Sequence, residues 1–291
     1  SYTNTRRETG RIYKISYGKP PRRSFDFAKM TTLQLVELQK HPNDWFVRHA
    51  RRRLQERAAA GEEMSDAHEE LKALYMEDAN VPRRLRAIWA LHATDGLSDE
   101  FLTRQLDDAS ENIRAWSVRL LCEDGQPPRA ALERFAHLAA SDDSPLVRRY
   151  LASALQRLEP RQRWPVVEAL AKRGEDVNDQ NIPFLIWYGA EPLVHDDIER
   201  FAALAVHARL PIVRRHVARR IAALTKFEPG LNELTLLLND SNESPVQLDV
   251  LTGMSQGFAG RRSVPMPSRW RPTYQKLQKR GSDEVRRHAR E

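Results

Sequence analysis

The sequence predicts an all-α fold, an α-solenoid of stacked helical hairpins that follows a short extended or β tail. Three observations predict it. An apolar residue followed by arginine recurs along the chain and opens a stretch of apolar residues at helical spacing. Between the recurrences lie further amphipathic segments, each with one apolar stripe. Glycine is scarce, at 12 of 291 residues, which disfavours an all-β sandwich or barrel with many tight turns.

The recurring phrase has a regular period. Its members are Val47-Arg48, Leu85-Arg86, Ile113-Arg114, Val147-Arg148, Val213-Arg214 and Val285-Arg286. In one further repeat Gln247 takes the place of the arginine. With Gln247 included, the successive positions are 38, 28, 34, 66, 33 and 39 residues apart. The interval of 66 covers two periods, with a divergent repeat that begins at Asn181. A period of about 35 to 40 residues built from two helices is typical of HEAT and armadillo repeats, so we expect a right-handed superhelix of that class.

The second helix of each repeat is predicted from the segments between the phrases. These are Leu71 to Met76, Phe101 to Leu106, Ala131 to Leu138, Val166 to Leu170, Ile198 to Val206 and Leu231 to Leu238. One hairpin cannot bury two apolar stripes alone, whereas stacked hairpins share a continuous core. Turn and cap residues such as Asp95-Gly96 and Glu228-Pro229-Gly230 separate the segments. We expect seven or eight hairpins.

The repeated arginines, Arg48, Arg86, Arg114, Arg148, Arg214 and Arg286, are candidates for a ladder between successive repeats. Acidic residues that precede the helices supply candidate partners: Asp78 for Arg86, Asp108 for Arg114, and Asp143 for Arg148. The ladder has two interpretations, an exposed row that grips a partner and partly buried ion pairs that brace the stack. We favour bracing.

The two ends of the chain depart from the repeat pattern. Residues 10–17, GRIYKISY, alternate apolar and polar or basic residues with period two, which predicts a short β-strand. Lys19 to Arg23 is proline-rich and reads as an extended linker. We therefore divide the chain into a tail over 1–29 and a solenoid over 30–291, and expect the lone strand to be the last strand of a preceding β-domain. Gly260 to Pro272 is expected to be a loop before the last helices.

Three stretches resemble a known family. They are Thr9 to Ile15, His41 to Arg48 followed by Ala50, Arg51, Leu54 and Arg57, and Asn181 to Leu193. Together they resemble the HEAT-repeat region of large secreted bacterial proteins, the membrane-bound dehydrogenase or haem-binding-domain proteins. In that family a β-propeller similar to soluble glucose or sorbosone dehydrogenases comes first, then the HEAT-like region, then a c-type cytochrome domain. The resemblance spans essentially the whole chain.

The resemblance implies a periplasmic or secreted connector whose partners are other domains of the same parent protein, or another protein. It departs from the family in one respect: the chain has neither the propeller body nor a CxxCH haem site. Any dehydrogenase or electron-transfer activity would then belong to other domains. We expect no cofactor, no catalytic residue and no metal site in this chain, and a monomer.

Charge distribution bears on the main alternative, a nucleic-acid-binding protein similar to HEAT-like DNA glycosylases. The net charge is +7, but residues 1–29 contribute +6 (eight basic, two acidic) and 261–291 contribute +7 (ten basic, three acidic). Residues 30–260 therefore carry 29 basic and 35 acidic side chains, a balance of −6. Trp45, Trp89, Trp116, Trp164 and Trp187 could stack on bases, yet an acidic body supplies few of the phosphate contacts that dominate DNA affinity. We expect no nucleic-acid partner.

Trp187, Tyr188 and Glu191 are the candidate partner-binding residues. They lie in NIPFLIWYGAEPL, where Pro183 suits a first helical turn and the aromatic side chains offer a large apolar surface. The alternative is a densely packed core helix in the middle of the solenoid.

Motifs of catalytic chemistry are missing from the sequence. It contains no HExxH, P-loop, GxSxG, GxGxxG or CxxC pattern. The single cysteine, Cys122, lies in an apolar stretch and is expected to be a buried hydrophobe. His195-Asp196-Asp197 is the one compact cluster of histidine and acid, and its aspartates are expected to serve a helix N-terminus. No apolar run is long enough to span a bilayer. The sequence thus favours a non-catalytic scaffold that binds protein.

Overall fold

The protein is all-helical in the computed structural model, which describes Tyr13 and residues 15–18, 25–224, 228–264 and 266–291. Sixteen α-helices and no β-strand occur in these residues. The helices are α1 (Thr32–Glu37), α2 (Asp44–Ala59), α3 (Ser65–Glu77), α4 (Val81–Ala93), α5 (Asp99–Gln105), α6 (Glu111–Leu121), α7 (Arg129–Ser141), α8 (Pro145–Ala154), α9 (Pro160–Ala171), α10 (Ile182–Ala190), α11 (Ile198–His207), α12 (Pro211–Ala223), α13 (Glu228–Asp240), α14 (Ser244–Phe258), α15 (Trp270–Arg280) and α16 (Asp283–His288). The all-α class is therefore confirmed. Of the strand predicted over 10–17, Tyr13 and residues 15–17 are described and form no strand, whereas residues 10–12 and 14 lie outside the described part of the chain. The linker predicted at Lys19 to Arg23 also lies outside it.

The chain divides into two compact units. The first comprises Ser1–Met76 and Arg86–Asp95, and the second comprises Glu77–Leu85 and Gly96–Glu291. The division falls within α4.

The first unit contains α1, α2 and α3. Its core is built from fully buried aliphatic side chains, including Leu35, Val47 and Leu54. The capping box of α1, in which Thr31 and Gln34 exchange hydrogen bonds, sets where that helix begins.

The second unit consists of two rows of helices. In the even row, α6, α8, α10, α12, α14 and α16 each contact the next member. In the odd row, α5, α7, α9, α11, α13 and α15 do the same, and each odd helix also contacts the even helix that follows it. This is a stack of six hairpins in which every helix buries its apolar stripe against neighbours before and after it. The predicted second segments all fall in the odd-numbered helices α3 to α13, with Leu106 capping α5.

Local sequence signals explain the helix boundaries of this unit. Proline occupies the first turn of α8, α10, α12 and α14, where its missing N–H costs no hydrogen bond. Ser98 and Ser144 accept hydrogen bonds from backbone N–H groups three residues on and so cap α5 and α8. The loop predicted at Gly260 to Pro272 is confirmed as far as Arg269, because the described residues between α14 and α15 form no helix. Trp270 to Pro272, also predicted as loop, begin α15 instead.

Two glycines allow α14 to lie against the backbone of α12. A Cβ atom on Gly257 would lie 2.6 Å from the carbonyl oxygen of Arg219, and one on Gly253 would collide with that of Arg215. The spacing of four residues puts both glycines on one face of α14. The close approach of these two helices therefore depends on the absence of side chains at both positions.

Candidate functional site

The arginine ladder exists in the second unit, but its carboxylate partners differ from the predicted ones. The Nη1 group of Arg114 donates to the carbonyl of Asp108, six residues earlier, at 2.9 Å. Its Nε and Nη2 groups donate to the carboxylate of Asp142 at 2.8 and 2.9 Å. Each arginine thus ties its own interhelical loop to the carboxylate of the next repeat.

Arg148 repeats this geometry one hairpin later. Its Nη1 group donates to the carbonyl of Asp142 at 2.9 Å, and its Nε and Nη2 groups reach the two carboxylate oxygens of Asp176, both at 2.6 Å. The side chains of Arg148 and Asp176 are only 4% and 3% exposed. Asp143, the predicted partner, is exposed, and the neighbouring Asp142 joins the two rungs instead.

Arg214 forms the last such rung, with the carbonyl of Ala208 and the carboxylate of Asp249. At the next frame position Gln247 keeps the loop contact, donating to the carbonyl of Ser241 at 2.8 Å. Ile182 occupies the frame position between Arg148 and Arg214 and interrupts the ladder.

Arg48 and Arg286 were assigned to the ladder wrongly, and Arg86 contacts the preceding repeat through partners other than the predicted one. Arg48 and Arg286 form exposed or half-exposed pairs within their own helices, with Asp44 and Asp283, and bridge no repeats. Arg86 donates to the carbonyls of Gln39 and His41 and to Asp44 rather than to Asp78.

Arg84, two residues before Arg86 on α4, pairs with the carboxylate of Asp108 and is the first arginine of the ladder in the second unit. The error at α4 is a register error, because the helix carries arginine at 83, 84 and 86 and the sequence pattern selected the last of them.

The pKa shifts of the ladder residues indicate that the ladder stabilises the stack of hairpins rather than binding a partner. Burial alone would raise the pKa of Asp142, but hydrogen bonds from Arg114 and from the Ser144 N–H outweigh it and hold that pKa below its ordinary value. The hydrogen bond to Asp176 raises the pKa of Arg148. These ion pairs are fixed inside the unit and are not offered to a ligand.

A second periodic feature does face outward, at the position two residues after the ladder frame. It consists of Trp116 on α6, Tyr150 on α8, Phe184 on α10 and His216 on α12, which we call the aromatic column. The ring centroids of Trp116 and Tyr150 are 6.4 Å apart, and those of Phe184 and His216 are 6.3 Å apart. All four side chains are half-buried or exposed. Because they occupy one repeat position on consecutive even helices, they lie along the same side of the even row.

The candidate partner-binding residues adjoin this column. Trp187, one turn after Phe184, is half-buried and meets His216 edge-on, with ring centroids 5.2 Å apart. Tyr188 is 57% exposed. Glu191 is paired with the Arg220 guanidinium at 2.5 Å and so is neutralised within the protein. The structure brings Trp187 to the column and adds His216, Phe184 and Arg219, which sequence reasoning did not single out.

A cavity of about 340 Å³ lies beside the column, between α10 and α12, lined by Trp187, His216, Arg219, Arg220 and Ala223. A larger cavity of about 480 Å³ lies between α14, the loop before α15 and the last residues of the chain. The smaller cavity is the better candidate for recognition, because aromatic walls and a guanidinium converge on it.

The charges along the even row are mostly neutralised. Arg149 pairs with Asp179 at 3.0 Å, and Arg215 with Asp249 at 3.3 Å. Two exposed arginines differ: Arg119, whose guanidinium lies 4.8 Å from the ring centroid of Trp116, and Arg219, in the wall of the smaller cavity. Neither has a carboxylate partner among the described residues. The column is therefore flanked by two uncompensated positive charges.

The pKa of His216 is lowered by its surroundings. Burial lowers its pKa, and the positive charges of Arg219 and Arg215 lower it further. At neutral pH the ring is therefore uncharged and can act as an aromatic surface.

Other predicted chemistry resolves into structural roles. Cys122 is fully buried, as predicted. Asp197 caps α11 by accepting from the N–H of Arg200 at 2.9 Å, and Asp196 accepts from Trp164 Nε1 at 2.8 Å. In the described part of the chain no group of three or more histidine, cysteine and acidic side chains is arranged to hold a metal ion.

The tryptophans named as candidates for base stacking do not form one surface. Trp164 is buried in the odd row, and the guanidinium of Arg200 lies 4.6 Å from the centroid of its ring. Trp116 and Trp187 belong to the even row. Trp45 lies in the first unit, stacked among Phe27, Phe46 and His49 and 48% exposed.

None of the helices described is both long and apolar enough to cross a membrane. Comparison with protein-family models and with curated proteins finds no match to the chain.

Proposed function

We propose that this chain is a non-catalytic scaffold of HEAT-like repeats whose even row binds another protein or another domain of the same protein. The observation that carries the proposal is the exposed aromatic surface of α10, where Phe184 is 38% and Tyr188 57% exposed beside half-buried Trp187. Aromatic side chains that remain accessible on a rigid helix are enriched at protein interfaces, since they bury large area at a small entropic cost.

The wider setting follows from the sequence resemblance. In this proposal the stacked hairpins form a superhelix that spaces a propeller-type dehydrogenase domain from a c-type cytochrome domain in a periplasmic or secreted protein. The chain itself is a monomer that holds no cofactor and performs no chemistry. The braced rungs, Arg114 with Asp142 and Arg148 with Asp176, suit a spacer because they resist shear between hairpins.

Two measurements test the proposal. An absorbance scan of the purified chain should show no Soret or flavin band, and such a band would overturn the scaffold assignment. Hydrogen exchange should then compare the chain alone with the chain joined to the domains encoded beside it in its reading frame. Amides of α10 and α12 should become protected when those domains are present; unchanged exchange along the whole even row would contradict the proposed interface.

Nucleic-acid binding is the second candidate, because the aromatic column flanked by Arg119 and Arg219 resembles a base-stacking surface. Against it, Asp179, Glu191 and Asp249 neutralise the other arginines of α8 and α12, and phosphate contacts dominate nucleic-acid affinity. We expect no binding of a DNA duplex at low salt. Tight, salt-sensitive duplex binding would favour this candidate over the scaffold.

A further inference from the structure

We propose that the aromatic column, together with Arg119 and Arg219, binds an extended peptide segment that carries both acidic and aromatic or large apolar side chains. The inference rests on the proposed protein-binding function and specifies the chemistry of the partner.

The shape of the site argues for an extended partner. The column runs across four consecutive even helices, α6, α8, α10 and α12, with one ring on each. A compact side chain or a single helix turn would meet one or two of these rings, whereas an extended chain can meet all of them. Side chains of an extended peptide alternate in direction, so every second residue faces the column. Among these facing residues, aromatic or large apolar side chains can pack on the rings and acidic ones can meet the arginines.

The smaller cavity provides a place for one large side chain. Its volume of about 340 Å³ is bounded by the ring of Trp187 on one helix and His216 on the other. Since His216 is uncharged at neutral pH, it and Trp187 offer two ring surfaces to an aromatic or aliphatic group, whereas Arg219 in the same lining attracts a carboxylate.

Charge complementarity identifies the peptide side chains that face Arg119 and Arg219 as acidic. Arg219 lies in the cavity wall and Arg119 at the other end of the column, and neither is matched by a carboxylate in the described residues. Arg149, Arg215 and Arg220 are each matched by an acid of the protein itself. A partner that brings carboxylates to Arg119 and Arg219 completes this pattern.

A peptide fits the site better than a nucleic acid because the two free cations lie at separate positions. A nucleic acid places a phosphate at every nucleotide and needs a continuous run of positive groups. Arg149 and Arg215, on α8 and α12, are neutralised by Asp179 and Asp249, so they offer phosphates no net positive charge. A peptide can place an acidic side chain only where an arginine is available.

The test uses the full chain and three fluorescently labelled polymers: a random copolymer of glutamate and tyrosine, polyglutamate, and oligothymidylate. Fluorescence anisotropy at low salt should show the copolymer binding about tenfold or more tightly than polyglutamate, because only the copolymer adds aromatic contacts. Oligothymidylate should bind more weakly than the copolymer.

Variants locate the binding. Arg219→Gln and Arg119→Gln should each weaken copolymer binding by about five- to tenfold through loss of one charge contact. Phe184→Ala should weaken it similarly, with a thermal melt to confirm that the variant is folded. Arg129→Gln is the matched control, because Arg129 lies on α7 of the odd row with a side chain 92% exposed; its binding should be unchanged.

Each other outcome overturns the inference. Equal affinities for the copolymer and polyglutamate would show that the aromatic column does not contribute to peptide binding. A higher affinity for oligothymidylate than for the copolymer would show that the site binds single-stranded nucleic acid. Equal losses in Arg129→Gln and Arg219→Gln would show attraction by overall charge only. If the copolymer fails to bind while a neighbouring domain still protects α10 and α12 from exchange, the peptide inference fails and the scaffold function stands.

Discussion

Arg148 and Asp176 form a two-point ion pair in the interior of the second unit, with both hydrogen bonds 2.6 Å long. The same guanidinium donates to the carbonyl of Asp142, whose carboxylate receives Arg114 of the preceding hairpin. Three hairpins are thereby joined through polar groups that burial shields from water. Paired charges in such a setting contribute mainly when both partners are present, because an unpaired buried charge is costly.

The first prediction concerns this pair. Asp176→Ala should lower the free energy of unfolding by about 3–5 kcal/mol, because it leaves the Arg148 guanidinium buried without its carboxylate. The double variant Arg148→Met, Asp176→Leu should recover most of that loss, since the carbonyl of Asp142 keeps a donor in Arg173. Urea denaturation followed by circular dichroism measures both. The exposed pair of Arg129 and Glu133 is the control: Glu133→Ala should cost less than about 0.5 kcal/mol.

The second prediction concerns the contact between α12 and α14. Gly253→Ala should destabilise the protein by about 1–3 kcal/mol, because the new methyl group would collide with the carbonyl of Arg215. Gln256→Ala, at an exposed position of the same helix, should be neutral or slightly stabilising. Thermal melts compare the two variants. A Gly253→Ala protein as stable as the wild type would mean that the two helices can move apart without loss.

The third prediction concerns thiol reactivity. Burial raises the pKa of the Cys122 thiol to about 12, so almost no thiolate forms at neutral pH. An alkylating reagent should modify the native protein very slowly and the urea-unfolded protein readily, as measured by mass spectrometry. Fast modification of the native chain would require that α6 opens locally.

The fourth prediction concerns His216. Arg219→Gln should raise the pKa of His216 toward its ordinary value, since one of the positive charges that lower it is removed; burial and Arg215 keep part of the depression. An NMR titration of the imidazole measures the change, and Arg119→Gln, on α6, should leave it unaffected.

The same depressed pKa fixes the sign of a pH effect on stability. The unfolded chain binds a proton at His216 more readily than the folded chain does. The contribution of His216 to the free energy of unfolding is therefore fully present above about pH 6.5. That contribution is lost as the pH falls through the folded pKa. His216→Gln should therefore flatten the fall of unfolding free energy over this range, and an unchanged slope would mean that His216 is solvated as in the unfolded chain.

Much of the fold could be predicted because its cause is periodic. The apolar stripes, Pro183 in the first turn of α10 and the burial of Cys122 all follow from local spacing and polarity, and the structure confirms them. The strand predicted over residues 10–17 is not formed by the four of them that the structure describes, Tyr13 and residues 15–17.

The partners of the ladder could not be predicted in the same way. Each arginine is bonded to a loop carbonyl of its own hairpin and to a carboxylate about 28 to 35 residues later, which only stacking brings close. Neighbouring candidates such as Asp142 and Asp143, or Arg84 and Arg86, differ by one or two residues in sequence but point in different directions on a helix or loop.

The candidate site was found in part. Trp187 and Tyr188 are visible in the sequence as an aromatic group, but Glu191 is occupied by Arg220, a contact between separate helices. One signal of the column was present in the sequence. If the divergent repeat is aligned so that Ile182 takes the place of the repeated arginine, an aromatic residue follows two positions later in four successive repeats: Trp116, Tyr150, Phe184 and His216.

The sequence by itself therefore determined the helices, their pairing into hairpins and the buried stripe, because these depend on residues within one or two helical turns. Only the tertiary structure decided which arginines are neutralised and which rings share a surface. Those properties depend on side chains from different hairpins meeting at distances of a few ångströms, and no local pattern encodes which of them meet.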